Sequence, residues 1–178
     1  MDKHEIRLSG SGGQGLILAG IILAEAAIID GKNAVQTQSC GPEARGGASK
    51  AEVIISTEKI DFPKVRNCDI FLSLTQKSFE QYGKGIKEDG IIIVDNIVNS
   101  QSANNKIYSV PIIDTAVNVI GKPMVVNIVA LGVLVALTHI VSKEALEEAV
   151  LDRVPKGTEE LNRKALEMGY AMGENAKK

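Results

Sequence analysis

Short apolar runs alternate with longer ones along the chain, and this pattern predicts strands alternating with helices. Short runs rich in β-branched residues and bounded by polar or glycine-containing segments are typical of strands. Runs that are apolar on almost every side predict helices covered by other elements. The predicted strands are 5–9, 33–39, 50–56, 69–74, 90–95 and 106–111, and the predicted helices are 14–29, 75–82, 123–140, 142–154 and 158–175.

This alternation predicts an α/β fold, a Rossmann-like three-layer sandwich with a mainly parallel sheet. The length of 178 residues suits one domain with a single core, and no repeat, low-complexity tract or linker divides residues 1–178. The run 124–141 is just long enough to span a membrane, but Asn127, Thr138 and His139 interrupt it. We therefore expect a buried helix there and no membrane association.

Composition and charge exclude some functions. The net charge is −2 and the basic residues are scattered, which gives no support to nucleic-acid binding. Three Phe, three Tyr and no Trp provide no stacking platform for single strands. The first ten residues contain no apolar signal core, so we expect a cytoplasmic protein.

The cysteines and histidines do not predict an intrinsic metal site. Cys40 and Cys68 lie 28 positions apart without a CxxC motif, too few thiols for an iron–sulfur cluster. His4 and His139 stand apart from any ligand pattern. We expect Cys68 to be a small buried hydrophobe, His139 to lie in a helix and His4 at an exposed terminus, while the role of Cys40 stays open.

A glycine-rich segment, Gly10-Ser-Gly-Gly-Gln-Gly15, lies between the first predicted strand and helix. Amides at a helix start point outward and carry partial positive charge, so a phosphate is favoured there. Glycine also lets the backbone turn sharply and lets a ligand approach closely. The alternative is a tight strand–helix turn that binds nothing.

The dinucleotide form of this motif requires an acidic residue about 20 positions onward, at the end of the second strand. Here that strand ends in Gln36-Thr37-Gln38-Ser39, with Asp30 before it and Glu43 after it. The predicted phosphate cradle therefore lacks the residue that would hold a ribose of NAD.

A second unusual loop, Ser39 to Lys50, follows the second predicted strand. Pro42 and three glycines bend its backbone, and Arg45 is free to bind a phosphate or carboxylate with two nitrogens. In a parallel sheet this loop belongs at the carboxyl edge, beside the glycine-rich segment. The alternative is a structural loop in which Arg45 pairs with Glu43 or Glu52.

The two loops together resemble the gamma subunit of 2-oxoacid:ferredoxin oxidoreductases. The resemblance rests on GSGGQGLILAGIILAEAA and QTQSCGPEARGGASKAEVIIS, and it continues through DIFLSLTQKSFEQY, GIIIVDN and NIVALGVLVALTHIVSKEALEEAV. The form QSCGPEARGGASKAEV is more similar to the 2-oxoglutarate type than to the pyruvate type. One departure is Cys40, where the related subunits commonly have an aromatic residue such as Tyr.

The resemblance implies an enzyme complex that converts a 2-oxoacid, coenzyme A and oxidised ferredoxin to acyl-CoA, CO2 and reduced ferredoxin. Thiamine diphosphate, Mg2+ and [4Fe-4S] clusters would lie on partner subunits, namely alpha, beta and possibly a ferredoxin-like delta subunit. The thiamine diphosphate signature is GDG followed, after a longer gap, by Asn-Asn. This chain has EDG at 88–90 and Asn104-Asn105, so the first glycine of the signature is missing and the gap between its two parts is too short.

Assistance to coenzyme A binding and to assembly is then the role left for this chain, without a catalytic residue of its own. The resemblance implies that part of the two loops contacts coenzyme A. We add Gly15 because it belongs to the glycine motif, and Lys50 because it is a cation of the second loop. The full expected set is Ser9, Gly10, Ser11, Gly12, Gly13, Gln14, Gly15, Ser39, Arg45 and Lys50. Two alternatives stay open: a free-standing NAD- or FAD-binding oxidoreductase, and a scaffold whose glycine loop serves packing alone.

Overall fold

The chain forms a six-stranded sheet, in which helices join the first strand to the second and the fourth to the fifth, and a helical C-terminal third follows it. The computed structural model describes residues 2–39, 47–101 and 103–178. The strands are β1 (Lys3–Ser11), β2 (Asn33–Gln38), β3 (Ala48–Ser56), β4 (Cys68–Ser73), β5 (Ile86–Asp95) and β6 (Lys106–Val110). The helices are α1 (Leu16–Ile29), α2 (Gln76–Tyr82), α3 (Ile112–Asp114), α4 (Val126–Thr138), α5 (Lys143–Arg153) and α6 (Glu159–Ala176). A π-helical turn, Thr115–Ile120, and a 3-10 turn, Pro123–Val125, connect α3 to α4.

The sheet has the order β2-β3-β1-β4-β5-β6. Strands β1, β4, β5 and β6 are parallel, whereas β3 runs antiparallel to both of its neighbours. Since β2 is antiparallel to β3, it points in the same direction as β1. The prediction of an α/β fold with a mainly parallel sheet is confirmed, and the ends of β1 and β2 lie at the same edge.

The two faces of the sheet carry different side chains, because residues alternate along each strand. On β1, Ile6 and Leu8 pack into the large core with α1, α4, α5 and α6, and we call this the helix face. Arg7 points to the opposite side, where it donates to the carbonyl of Tyr82 in α2, and we call this the α2 face. A smaller apolar cluster lies there around Phe71, Phe79 and Ile92.

Helix α4 lies at the centre of the helix face and is buried along nearly its whole length. It packs against α6 where two glycines meet: a Cβ on Gly169 would lie 2.4 Å from the carbonyl oxygen of Val129 and 3.0 Å from Cα of Gly132. The predicted buried helix in this region is therefore confirmed. Within the described ranges, no helix combines the length and apolar character needed to cross a bilayer.

Several local predictions need correction. His139 is not in a helix: it follows α4 in a left-handed conformation with φ 51°. His4 belongs to β1 and is half-buried, because the strand begins at Lys3. The helical segment after β6, from Ile112 to Ile120, was not predicted. Cys68, in contrast, is fully buried as expected.

Candidate functional site

The glycine-rich loop connects the end of β1 to the start of α1 at the carboxyl edge of the sheet. The helix begins at Leu16, two positions later than the predicted start, because Gly15 has a left-handed φ of 73° that no helical residue adopts. The first hydrogen bond of the helix is donated by Ala19 to the carbonyl of Gly15. Amides at such a helix start carry partial positive charge and attract anions.

Some amides of this loop donate hydrogen bonds to acceptors within the protein. The Ser11 amide donates to Oε1 of Gln14 over 2.7 Å, and the Gly12 amide donates to the carbonyl of Gly47 over 3.3 Å. The Gln14 amide donates to the Ser11 carbonyl over 3.3 Å. The side chain of Gln14 therefore fixes the shape of the loop.

Other amides of the loop have no acceptor among the residues that the structure describes. These are the amides of Gly13, Gly15 and the first helical residues, Leu16 to Leu18. Gly13 has a φ of 90°, and a Cβ built on it would meet nothing within 4 Å. The loop therefore presents donors beside open space, which suits a phosphate group.

Gly10 and Gly15 have a separate, structural reason to be glycine. A Cβ on Gly10 would lie 2.4 Å from Gln14 Oε1, and a Cβ on Gly15 would lie 2.6 Å from Asn127 Nδ2. Asn127 donates from Nδ2 to the Gly15 carbonyl over 3.1 Å, which joins the loop to the first turn of α4. Of the four glycines in this segment, Gly10 and Gly15 are packed against neighbouring side chains, Gly12 donates to Gly47, and Gly13 faces open space.

Ser9 lies beneath this loop, inside the sheet. Its side chain is 0% exposed and its hydroxyl donates to the carbonyl of Leu72 over 3.2 Å. The backbone carbonyl of Ser9 also accepts from Leu74. In this position Ser9 supports the loop from below, which differs from the direct ligand contact expected from the sequence.

The second loop approaches the first at the same edge. The Ser39 amide donates to the carbonyl of Lys50 over 3.2 Å, and Gly47 accepts from Gly12. Gly47 therefore places one end of the segment 40–46 against the glycine-rich loop, and Ser39 places the other end beside β3. Arg45, the central residue of the expected site, lies outside the described residues, and so does Cys40.

Lys50 is directed toward the α2 face. Its ammonium lies 3.4 Å from Glu52 Oε1 and 5.4 Å from the centre of the Tyr82 ring. Glu52 also accepts a hydrogen bond from Arg7 Nε over 2.8 Å. The structure thus places Lys50 in a network with Arg7, Glu52 and Tyr82, whereas the other described members of the expected set line the two loops or lie beneath them.

Sequence reasoning missed two residues that fix segments at the carboxyl edge. Asn127 was seen only as an interruption of an apolar run, although a lone amide in such a run indicates a specific partner. Asp95, at the end of β5, is fully buried and accepts from the amides of Ile97 and Ile113. The sequence signal for Asp95 is an acidic residue at the end of a predicted buried strand.

No described residue is placed as an activated nucleophile. Burial raises the pKa of the Cys68 thiol to about 12, so this thiol stays protonated at neutral pH. In the described parts of the chain, no three His, Cys, Asp or Glu side chains are grouped so that they could hold a metal ion. The arrangement at the carboxyl edge is suited to binding an anionic ligand.

Comparison with known proteins agrees with this geometry. Residues 5–172 match the family described as pyruvate ferredoxin/flavodoxin oxidoreductase. The 2-oxoglutarate synthase subunit KorC of Methanocaldococcus jannaschii is 54% identical over 173 residues, which cover 94% of this chain and 92% of that protein.

Two solved structures are similar in fold. The gamma subunit of a keto/oxoacid ferredoxin oxidoreductase from Geobacter sulfurreducens has a TM-score of 0.88 and 51% identity, with 99% of both chains covered. A 2-oxoglutarate:ferredoxin oxidoreductase from Magnetococcus marinus, with 2-oxoglutarate, coenzyme A and succinyl-CoA bound, has a TM-score of 0.88 at 23% identity, and the match covers 98% of this chain and 32% of that one. The chain therefore belongs to the pyruvate ferredoxin/flavodoxin oxidoreductase family, as a subunit of an oxidoreductase complex that acts on a 2-oxoacid.

Proposed function

We propose that this chain is the gamma subunit of a 2-oxoglutarate:ferredoxin oxidoreductase and that it helps to bind coenzyme A. The identity to a 2-oxoglutarate synthase subunit over almost the whole chain supports the choice of 2-oxoacid. Thiamine diphosphate, Mg2+ and [4Fe-4S] clusters, on alpha, beta or delta partner subunits, would supply decarboxylation and electron transfer to ferredoxin.

The observation that carries the proposal is the set of loop amides around Gly13 that have no acceptor in the described chain and lie beside open space. Coenzyme A has a pyrophosphate and a 3′-phosphate, and phosphates bind to amides at a helix start. We assign one phosphate group to the amides of Gly13, Gly15 and Leu16. Arg45 is proposed to pair with another phosphate, since Gly47, which follows its segment, accepts a hydrogen bond from Gly12 in this loop.

The remaining members of the expected set take different roles in this proposal. Ser11, Gly12 and Gln14 shape the loop through their hydrogen bonds, and Gly10 leaves room for Gln14. Ser9 supports the loop from the sheet, and Ser39 fixes the start of the Arg45 segment. Lys50 contributes positive charge near this edge while it stays paired with Glu52.

The proposal is tested by two glycines at opposite ends of α1. Gly13 and Gly31 both have positive φ, 90° and 81°, and a Cβ on either would meet nothing within 4 Å. Alanine at either position therefore costs about 1–2 kcal/mol of backbone strain. Only at Gly13 does the added methyl enter the proposed phosphate site.

In the assembled enzyme with saturating 2-oxoglutarate, we expect Gly13→Ala to raise the KM for coenzyme A about tenfold, equivalent to about 1.4 kcal/mol. Gly31→Ala should leave that KM unchanged, and kcat should change little in either variant. Equal KM values for coenzyme A in both variants would show that this loop does not bind the phosphate. An unchanged KM for coenzyme A in Arg45→Ala would show that the second loop has only a structural role.

A further inference from the structure

Asn127 is a polar residue buried in an otherwise apolar stretch at the start of α4. It is 4% exposed, and its neighbours from Val125 to Leu131 are all buried apolar residues. Burying an amide costs free energy unless its donor and its acceptor are both hydrogen-bonded. The partners of this side chain therefore indicate why an amide is present here.

The two ends of the Asn127 amide bind the starts of two different helices. Its Oδ1 accepts from the Ile128 amide over 2.9 Å, in the first turn of α4, where amides have no acceptor within the helix. Its Nδ2 donates to the carbonyl of Gly15 over 3.1 Å, directly before the first residue of α1. The side chain thus joins the N-terminal ends of α1 and α4.

The contact at the Gly15 carbonyl determines the direction of the next amide. A trans peptide is planar, and its C=O and N–H bonds point in opposite directions. Because the Gly15 carbonyl is held toward Asn127 and toward the amide of Ala19, the Leu16 N–H points away from both. The Leu16 amide has no acceptor among the described residues, and it is one of the donors assigned to a phosphate above.

The same contacts form a chain of polarised amides. The Ile128 N–H binds the Asn127 side chain, which in turn binds the peptide that joins Gly15 to Leu16. In such a chain each hydrogen bond strengthens the next one. The Leu16 N–H at its end is therefore a better donor to an anion than the same amide without Asn127 behind it.

We propose that Asn127 is a positioning residue for the phosphate site, which orients and polarises the Leu16 amide from behind. The inference rests on the proposed function, because this role requires a phosphate at the loop. The hydrogen bonds of Ser11, Gly12 and Gln14 fix the loop before Gly15, and Asn127 fixes the peptide after it. Since Asn127 is buried, it acts through that peptide.

A matched pair of buried asparagines tests this role in the assembled enzyme. Asn162 is 5% exposed and borders the same groove as Asn127, but its Nδ2 donates to the carbonyl and the hydroxyl of Thr158, at the start of α6. Asn127→Ala and Asn162→Ala each remove one buried amide, so both should lower the temperature of thermal unfolding.

Only Asn127→Ala should change the response to coenzyme A. With saturating 2-oxoglutarate, we expect it to raise the KM for coenzyme A about fivefold, the factor that corresponds to weakening one hydrogen bond. The kcat should change little, and Asn162→Ala should leave this KM unchanged. Asn127→Leu, which keeps most of the side-chain volume without a donor, should raise the KM as much as Asn127→Ala.

Three results would overturn the inference. These are an unchanged KM for coenzyme A in Asn127→Ala, an equal rise in Asn162→Ala, or a wild-type KM in Asn127→Leu, which would show that packing alone is sufficient. Gly13→Ala distinguishes this failure from that of the proposed function. If Gly13→Ala raises the KM while Asn127→Ala does not, only the role of Asn127 is wrong; if Gly13→Ala leaves it unchanged, the phosphate site and this inference are both wrong.

Discussion

The helix face and the α2 face of the sheet are stabilised in different ways. The helix face buries a continuous apolar core under α1, α4, α5 and α6. The α2 face has one seven-residue helix and a small apolar cluster, and charged side chains occupy the rest of its centre. Arg7, Glu52 and Lys50 form a partly buried network there.

This difference shows which interactions determine stability on each side. Where four helices cover the sheet, packing density dominates, and volume changes should be costly. Where the covering is thin, directional contacts hold the elements together, and loss of a partner should matter more than loss of volume. The following predictions test that distinction, from the largest expected effect to the smallest.

The largest effect is expected at the contact between α4 and α6. Gly169→Leu would place a side chain where a Cβ already lies 2.4 Å from the Val129 carbonyl. We expect a loss of more than about 4 kcal/mol in the free energy of unfolding, because backbone on both sides prevents relaxation. Glu167→Leu, at an exposed position of the same helix, should change it by less than about 0.5 kcal/mol. Urea unfolding followed by circular dichroism measures both.

Neighbouring isoleucines on β5 compare the two faces directly. Ile93 is 0% exposed in the core of the helix face, and Ile92 is 1% exposed in the α2-face cluster. Ile92 also borders an open cavity of about 1060 Å³ between α2 and the start of β5, so its surroundings can collapse more easily. We expect Ile93→Ala to cost about 4 kcal/mol and Ile92→Ala about 2 kcal/mol. Equal costs would show that the two faces are packed to the same degree.

Arg7 is the residue on which the α2 face depends most. It donates to Glu52, to the carbonyl of Tyr82 at the end of α2 and to the carbonyl of Lys84 two positions later. Arg7→Met should cost about 3 kcal/mol, because it removes the closer cation from the partly buried Glu52 carboxylate and a donor from the carbonyls at the end of α2. This expected loss of unfolding free energy is at the low end of the range for breaking a buried ion pair, since Glu52 keeps its contact with Lys50.

A double-mutant cycle separates this pairing from simple packing. Adding Glu52→Leu to Arg7→Met should recover part of the lost stability, because it removes the carboxylate that has lost its closer cation. Strict additivity of the two substitutions would show that the ion pair contributes little and that the aliphatic part of Arg7 matters instead.

The smallest effect at neutral pH concerns the buried thiol of Cys68. Burial raises its pKa from the ordinary 9.0 to about 12. In the unfolded chain the thiol loses its proton first, so between about pH 9 and 12 the native state holds the extra proton. The free energy of unfolding should therefore fall as pH rises through this range, and Cys68 makes no pH-dependent contribution below it.

Cys40→Ser provides a background in which Cys68 is the only thiol. In that background the native protein should react slowly with a thiol reagent at pH 8, and rapidly in urea. Adding Cys68→Ala should reduce the alkaline decrease in stability. Fast reaction of native Cys40→Ser protein would mean that the α2 face opens readily to solvent.

The hydrophobic pattern predicts the sequence of strands and most helices of this fold, because burial determines both. It does not predict the direction of β3, since alternation along a strand is the same for parallel and antiparallel neighbours. It also misses the charged start of β5: Lys87, Glu88 and Asp89 are exposed, and Asn105 holds this extension by donating to three of its carbonyls. Exposed strand ends of this kind have no apolar signature.

The candidate site is predicted only in part, for a similar reason. The glycine-rich motif indicates a turn at a helix start, and the structure has that turn. The motif alone does not distinguish Gly13, which faces open space, from Gly10 and Gly15, which accommodate Gln14 and Asn127. Long-range partners decide these roles, and the sequence around the loop does not contain them.

The hairpin formed by β2 and β3 has a consequence for how such subunits can diversify. Its two strands pair antiparallel with each other, so β3 follows β2 as its direct neighbour in the sheet. Insertions, deletions or substitutions between residues 39 and 47 can therefore accumulate without moving a strand or a core helix. A protein built this way can change the residues between these two strands while the rest of its architecture stays constant.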